Sequence, residues 1–287
     1  MHFPRKIFIN KLNCKGPIKT VIFDLEGTII DKGCMAPVEA ITKLFSNYRY
    51  DLNKNGYELT KNDIRKNLHI NRVEYITSIA KIISKDINIK ELLENYNKIQ
   101  EEHFDEYNNI IEGSHTLFGK LREENINIGA ISPSYDDRLS TLIGTRLIRK
   151  NLIPDRLITN IEEFELPSPA LIYKCLNQLD TYPLQSVVKV DDTPIGIKEG
   201  LNAGCWTIGV SKWSSLCNYQ SKFEIENMSE LERNKRERIA RKELLKSGAH
   251  FVVSDLSYVF DVIQLINNKL RNNEQPHKYI ARSRFYK

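Results

Sequence analysis

The sequence predicts an α/β fold, a Rossmann-like parallel sheet flanked by helices, with an α-helical cap inserted after the first strand. Short apolar runs rich in β-branched residues alternate with stretches of helical periodicity, which is the pattern of parallel strands joined by helices. Several runs end in aspartate or serine, as expected at the carboxyl edge of such a sheet, where ligands bind. Residues 35–110 have helical patterns and no strong strand signal, which predicts the cap.

Five apolar runs are predicted to be buried strands, at residues 18–23, 127–132, 186–192, 205–210 and 249–256. Helical periodicity predicts helices at residues 35–45, 114–124, 135–149, 169–179, 194–203 and 226–246, the last of them charged and on the surface. The predicted units are a basic N-terminal extension (1–17), a core (18–34 and 111–268), the helical cap (35–110) and a basic C-terminal tail (269–287).

The composition excludes several classes of protein. The chain has 287 residues, of which 41% are hydrophobic and 28% charged, a balance typical of globular domains. No run approaches the roughly 18 apolar residues that cross a bilayer, so no membrane span is predicted. The five cysteines form no C-x-x-C pair and are odd in number, which argues against a disulfide framework or a zinc site.

The net charge of +5 is unevenly distributed. Residues 1–20 contain five basic residues and no acid, and residues 269–287 contain six basic residues and one acid. Each end therefore carries +5, and the remaining residues sum to −5. Basic ends on an acidic body are typical of contact with nucleic acid or an acidic surface, and equally of solvated tails.

Four signals occur in the order expected of one superfamily. They are Asp24 in "VIFDLEGT", Ser132 at the end of "IGAIS", "LPSP" at 166–169, and Asp192 in "VVKVDDTPIGIKEGLNAG". Together they resemble the haloacid dehalogenase superfamily, whose members form an aspartyl-phosphate intermediate with magnesium. The resemblance implies that Asp24 is the nucleophile, that Ser132 binds phosphate, and that Asp24 and Asp192 are magnesium ligands. It also places Glu26 where general phosphatases of the superfamily have an acid–base aspartate.

Within the superfamily, the chain is most similar to phosphonoacetaldehyde hydrolase over residues 18–268, in "GCMAPVEA", "KVDDTPIGIKEGLNAGCWTIGV" and "SGAHF". The cap departs from that family. The lysine with which that family forms a Schiff base corresponds to Arg72 here. A guanidinium stays protonated and cannot act as that nucleophile. Leu68 replaces a functional methionine, His69 a glycine and Tyr75 a catalytic histidine. No hydrolysis of phosphonoacetaldehyde is therefore expected.

The core departs as well. Leu166 stands in place of a basic residue that neutralises the phosphoryl group, Gly196 in place of a magnesium-site acid, and Pro133 in place of a small residue. Losing one such charge-stabilising group costs ~2.7–4 kcal/mol, so the site is expected to be vestigial and magnesium to bind weakly or not at all. Lys174 or Lys189 could supply a cation, but Lys174 is predicted on a helix face and Lys189 flanking a strand.

Basic and aromatic residues alternate in the C-terminal run, which predicts RNA contacts by Lys278, Arg282, Arg284 and Lys287. The function predicted from these features is a catalytically degenerate, phosphonatase-like structural subunit of a larger protein or ribonucleoprotein assembly, such as a mitochondrial ribosome. The alternative is an active magnesium-dependent phosphatase that uses Asp24 as its nucleophile. The basic, acid-free N-terminal segment predicts a mitochondrial location, with the cytoplasm as the alternative.

Overall fold

A computed structural model describes most of the chain. The described residues are 15–68, 70, 72–102, 104–107, 109–132, 137–159 and 166–277. No helix within these ranges is both long and apolar enough to cross a membrane. The four cysteines that fall inside them are free thiols, all buried, and so form no disulfide framework.

Six parallel strands form one sheet. They are β1 (Thr20–Asp24), β2 (Asn127–Ser132), β3 (Arg156–Thr159), β4 (Val187–Asp191), β5 (Trp206–Val210) and β6 (Phe251–Val253). Their order across the sheet is β3-β2-β1-β4-β5-β6, so β1 lies between β2 and β4. This arrangement confirms the predicted α/β fold class.

The central strands are continuously apolar because the sheet is covered on both faces. Val21 and Phe23 of β1 belong to one hydrophobic cluster, and Ile22 between them belongs to another on the opposite face. In β4, Val188 belongs to the first of these clusters and Val187 to the second. Because all five side chains are fully buried, these positions favour apolar residues.

Helices cover the two faces. Those of the core are α7 (Ser114–Glu123), α8 (Asp137–Arg149), α9 (Ala170–Gln178), α10 (Pro194–Ala203), α11 (Lys222–Asn227), α12 (Glu230–Lys246) and α13 (Val259–Arg271). Buried residues of α7, α8 and α13 belong to the cluster that contains Phe23, whereas those of α9 belong to the cluster that contains Ile22. The sheet is therefore enclosed between two helical layers, and its carboxyl edge is left for the site.

The segment after β1 is helical, as predicted. Its helices are α1 (Met35–Leu44), α2 (Arg49–Lys54), α3 (Lys61–Lys66), α4 (Arg72–Ile83), α5 (Ile89–Glu102) and α6 (Phe104–Tyr107). Buried residues of α1 to α5 form a hydrophobic cluster of their own. Asp31 holds the start of α1, since its carboxylate accepts hydrogen bonds from the backbone N–H groups of Met35 and Ala36 at 2.8 and 2.9 Å. The predicted unit boundaries stay a prediction.

Two elements differ from the sequence-based expectation. The strand β3 was not predicted, because it has only four residues and lies at the edge of the sheet with Arg156 exposed. The charged helix predicted at 226–246 is divided into α11 and α12. Ser229 caps α12 by accepting a hydrogen bond from the backbone N–H of Glu232. The surface position holds for one side of α12 only, because Ala240 and Leu244 are fully buried.

Candidate active site

The ends of three neighbouring strands bring the predicted site residues to one edge. Asp24 ends β1, Ser132 ends β2, and Asp192 follows β4 directly. Because β2 and β4 flank β1, these side chains meet around Asp24. Glu26 lies in the loop after β1, and its Oε2 accepts a hydrogen bond from Ser132 Oγ at 3.2 Å. The roles predicted for these four residues stay predictions, and their proximity is observed.

Three carboxylates form the centre of this edge. Oxygen atoms of Asp24, Asp191 and Asp192 all lie within 4.8 Å of one another. Asp192 is fully buried, and its Oδ2 accepts a hydrogen bond from the backbone N–H of Ser215 at 2.9 Å. Gly27 permits this close packing, since a Cβ there would lie 2.7 Å from the carboxylate of Asp192 and the residue has φ of +75°.

Burial and the charges of neighbouring carboxylates disfavour the ionised forms of Asp24 and Asp192. Burial, followed by the charge of Asp191, raises the pKa of Asp24 well above its usual range. The same two causes raise the pKa of Asp192 to about 8. A divalent cation would relieve this repulsion, and carboxylate oxygens are the ligands that magnesium prefers. The residues present therefore fit a magnesium ion.

Asp191 bears on the expectation that Gly196 leaves this edge without a magnesium-site carboxylate, which stays a prediction. A Cβ built on Gly196 would lie 2.0 Å from Asp191 Oδ2, so the carboxylate occupies the volume that a side chain at position 196 would need. Thr193 orients this carboxylate, donating to Oδ1 from its backbone N–H at 2.9 Å and from its hydroxyl at 2.7 Å. Asp191, five residues before Gly196, is thus a third carboxylate beside Asp24 and Asp192. The "DD" doublet followed by Gly196 was the available signal.

Lys189 corrects a second expectation. It lies within β4 and is fully buried, whereas it was predicted to flank the strand. Its Nζ lies 2.8 Å from Asp191 Oδ2 and 3.8 Å from Glu199 Oε2. Burial lowers the pKa of Lys189, but attraction to Asp191 and Glu199 outweighs this effect, so the pKa is raised. The edge thus has a buried cation despite Leu166, and Lys174 is exposed on α9, as predicted.

A cavity of about 330 Å³ separates this edge from the cap. Its acidic floor includes Asp24, Glu26 and Asp191, and the side chain of Leu166 lines it at the core. Cap residues Leu68 and Arg72 also line it. The cavity is enclosed by both units, so a ligand at Asp24 would contact the cap as well.

The cap residues singled out from the sequence lie in different places. Arg72 opens α4 beside the cavity, and its Nε and Nη1 are buried without a hydrogen-bond partner among the described residues. Such unpaired buried groups cost ~1–3 kcal/mol each. Tyr75 packs inside the cap cluster and is not among the cavity-lining residues. His69 and Pro133 lie outside the described residues.

Arg65 is a further cap residue at the cavity, which sequence reasoning missed. Its Nη1 donates to Asn218 Oδ1 at 3.1 Å, and its Nη2 donates to the backbone carbonyl of Tyr219. Both partners belong to the loop after β5, so this buried guanidinium connects the cap to the core. Nothing local in the sequence marks it, because its partners are more than 150 residues away.

The residues predicted to contact RNA, Lys278, Arg282, Arg284 and Lys287, lie outside the described residues. RNA binding, membership of a larger assembly and a mitochondrial location therefore stay predictions.

Comparisons with known proteins find relatives similar in sequence and in fold. A phosphonoacetaldehyde hydrolase of Bacillus cereus is 28% identical over 266 residues, which cover 88% of this chain and 97% of the relative. One from Syntrophobacter fumaroxidans is 28% identical over 285 residues, covering 94% and 100%. The crystal structure of a phosphonoacetaldehyde hydrolase-like protein from Oleispira antarctica matches with a TM-score of 0.81 and 26% identity, covering 94% and 100%.

These relatives are hydrolases by name, and they give no support to a role as a ribosomal subunit. The family model for haloacid dehalogenase-like hydrolases matches residues 21–210, which include the strand ends that carry Asp24, Ser132 and Asp192. The chain therefore belongs to the haloacid dehalogenase-like hydrolase family.

Proposed function

We propose that the chain is a magnesium-dependent phosphohydrolase in which Asp24 is the nucleophile. One observation carries the proposal: Asp24, Asp191 and Asp192 converge beneath a cavity, with Lys189 buried beside them. A degenerate site would have no reason to retain a buried acid cluster, which is costly to desolvate unless a cation compensates it. The carboxylate of Asp191 fills the space beside Gly196 and is the third carboxylate of the cluster.

In the proposed reaction, a carboxylate oxygen of Asp24 attacks the phosphorus atom of a phosphomonoester. The bond from phosphorus to the leaving oxygen breaks, and Glu26 donates a proton to that oxygen. Water then attacks the aspartyl phosphate and Glu26 takes up its proton, which releases phosphate and restores Asp24. Ser132 is fully buried and is not among the cavity-lining residues, so it acts through its hydrogen bond to Glu26, which orients that carboxylate.

Asp24, Asp191 and Asp192 would hold the magnesium ion. When bound, the ion neutralises negative charge on the transferring group. Lys189 does not line the cavity, so it acts from beneath by fixing Asp191 rather than by contacting the phosphoryl group.

Hydrolysis of phosphonoacetaldehyde, the activity named for the relatives, is not the activity proposed for this chain. By the resemblance, that reaction uses a neutral amine of a cap lysine at the position of Arg72. Arg72 lines the cavity, but its guanidinium cannot supply such an amine. A non-catalytic subunit of an RNA-containing assembly was predicted from the basic ends and from the replacements at Arg72, Leu166 and Gly196. The acid cluster at the edge favours a hydrolase.

The test is phosphate release from p-nitrophenyl phosphate and a panel of small phosphomonoesters, with and without magnesium. We expect magnesium-dependent turnover in the range of ~1–10³ s⁻¹ on at least one natural substrate. Asp24→Asn should lower kcat by at least about 10³-fold, as for loss of a nucleophile. Asp86→Asn, an exposed cap residue, makes the same charge change away from the site and should keep full activity. Turnover that survives in Asp24→Asn, or its absence across the panel, would overturn the proposal.

A further inference from the structure

We infer that Glu199 takes over Lys189 from Asp191 when magnesium binds the acid cluster, and so releases an oxygen of Asp191 to the metal ion. Lys189 then fixes Asp191 only until the ion arrives, and Glu199 is a positioning residue that sets the affinity of the site for magnesium. The inference rests on the proposed function, which requires the metal ion.

Both oxygens of the Asp191 carboxylate already have partners. Oδ1 accepts two hydrogen bonds from Thr193, one from its backbone N–H at 2.9 Å and one from its hydroxyl at 2.7 Å. Oδ2 lies 2.8 Å from Nζ of Lys189. A metal ion at this oxygen would meet the ammonium charge of Lys189, and two cations in contact repel each other strongly in a buried site. The ion pair with Lys189 is therefore the contact that has to loosen.

Glu199 is a second acceptor within reach of Lys189. Its side chain is almost fully buried, and its Oε2 lies 3.8 Å from Lys189 Nζ. Its other oxygen, Oε1, is buried and has no hydrogen-bond partner among the residues that the structure describes. Burial raises the pKa of Glu199 to about 7, although the charge of Lys189 opposes this effect. The ionised carboxylate would therefore be stabilised by a closer cation.

Close packing of α10 on β4 keeps Lys189 between the two acids. A Cβ on Gly200, the residue after Glu199, would lie 2.9 Å from Cβ of Lys189, so a larger residue would push the helix and the strand apart. Lys189 is fully buried, yet attraction to the neighbouring acids raises its pKa, so it stays charged. A small movement of the ammonium group, which closes the 3.8 Å gap to Glu199, exchanges its partner.

The test measures magnesium binding by calorimetry at pH 8 in the wild type, Glu199→Gln, Lys189→Met and the double variant. Glu199→Gln should raise the Kd for magnesium about tenfold, because Lys189 then has no second acidic acceptor. In the Lys189→Met background the same change should alter the Kd by less than about twofold, since no ammonium group has to move. Glu123→Gln, in an exposed residue of α7 away from the cavity, removes the same charge and should leave the Kd unchanged.

A second measurement does not depend on a folded Lys189→Met variant. A crystal structure of the wild type grown in magnesium should show Lys189 Nζ within hydrogen-bond distance of Glu199 and no longer in contact with Asp191. The position of the lysine is observed directly in this way, independently of any activity. Thermal unfolding of each variant establishes that it is folded before its Kd is measured.

An equal rise in Kd on Glu199→Gln in both backgrounds would show that Glu199 acts on the metal ion by charge alone, and would overturn the inference. A magnesium-bound structure in which Lys189 keeps Asp191 would do the same. Either result together with turnover dependent on Asp24 contradicts the inference alone. Coupling between Lys189 and Glu199 without such turnover contradicts the proposed function alone, and a wild type that binds no magnesium contradicts both.

Discussion

The two walls of the cavity differ in how they depart from the relatives. At the edge of the sheet, the departures compensate one another: Gly196 leaves space and Asp191 fills it, while Lys189 provides a cation that Leu166 does not. In the cap, Arg72 lines the cavity and Tyr75 packs in the cap cluster. On the proposed function, the edge supports the reaction with a different set of carboxylates, whereas the cap departs from the related enzymes at Arg72 without a replacement amine.

The sharpest test of this contrast replaces one basic residue in each wall by methionine. In Lys189→Met, the buried acids Asp191 and Glu199 lose their cation, which typically costs ~3–5 kcal/mol of folding free energy. Arg72→Met removes a guanidinium with no partner among the described residues, so stability should change by less than about 1 kcal/mol or increase. Urea unfolding measures both.

Glu199→Gln added to Lys189→Met should recover part of the loss, because it removes one uncompensated acid. Equal destabilisation by the two methionine variants would show that the walls are not electrostatically different. A Lys189→Met variant as stable as the wild type would show that the buried acids are protonated in the folded chain.

The next test moves the carboxylate from Asp191 to position 196. Asp191→Gly alone should lower kcat by about 10²–10³-fold at saturating magnesium, through loss of one carboxylate. Gly196→Asp alone should be destabilised, because its Cβ would lie 2.0 Å from the Asp191 carboxylate. The double variant removes the collision and returns a carboxylate to the cluster, so it should regain most of the activity and stability.

Phosphate release and thermal unfolding of the three variants check this prediction, and their non-additivity is the informative quantity. If the double variant loses as much as the two single variants combined, Asp191 and position 196 do not exchange roles. The contrast with the cap would then lose its basis, because the edge would also lack a group of the related enzymes without a replacement.

Much of the fold was predictable, because buried parallel strands give continuous apolar runs such as β1 and β4. The edge strand β3 was missed because four residues with one exposed end give no such run. At the site, Asp24 and Ser132 were singled out because strand ends mark ligand positions in open α/β sheets, and the structure places them at one edge. Asp191 and Lys189 were not assigned, since alternation along β4 does not reveal which polar side chains converge beneath an edge.

The last prediction concerns the cap, where the expected effect is no gain of activity. Arg72→Lys restores the amine of the related enzymes, yet it should not produce hydrolysis of phosphonoacetaldehyde. Tyr75 packs in the cap cluster rather than on the cavity, so the chain lacks the proton-transferring group that the resemblance places there. Borohydride trapping of the aldehyde and assay of acetaldehyde check this, with the Bacillus cereus relative as positive control. Covalent reduction onto the wild-type cap would show that another amine serves, and turnover in Arg72→Lys would show that one residue separates the two specificities. Either result would remove the contrast between the two walls, because the cap would then also support the chemistry of the related enzymes.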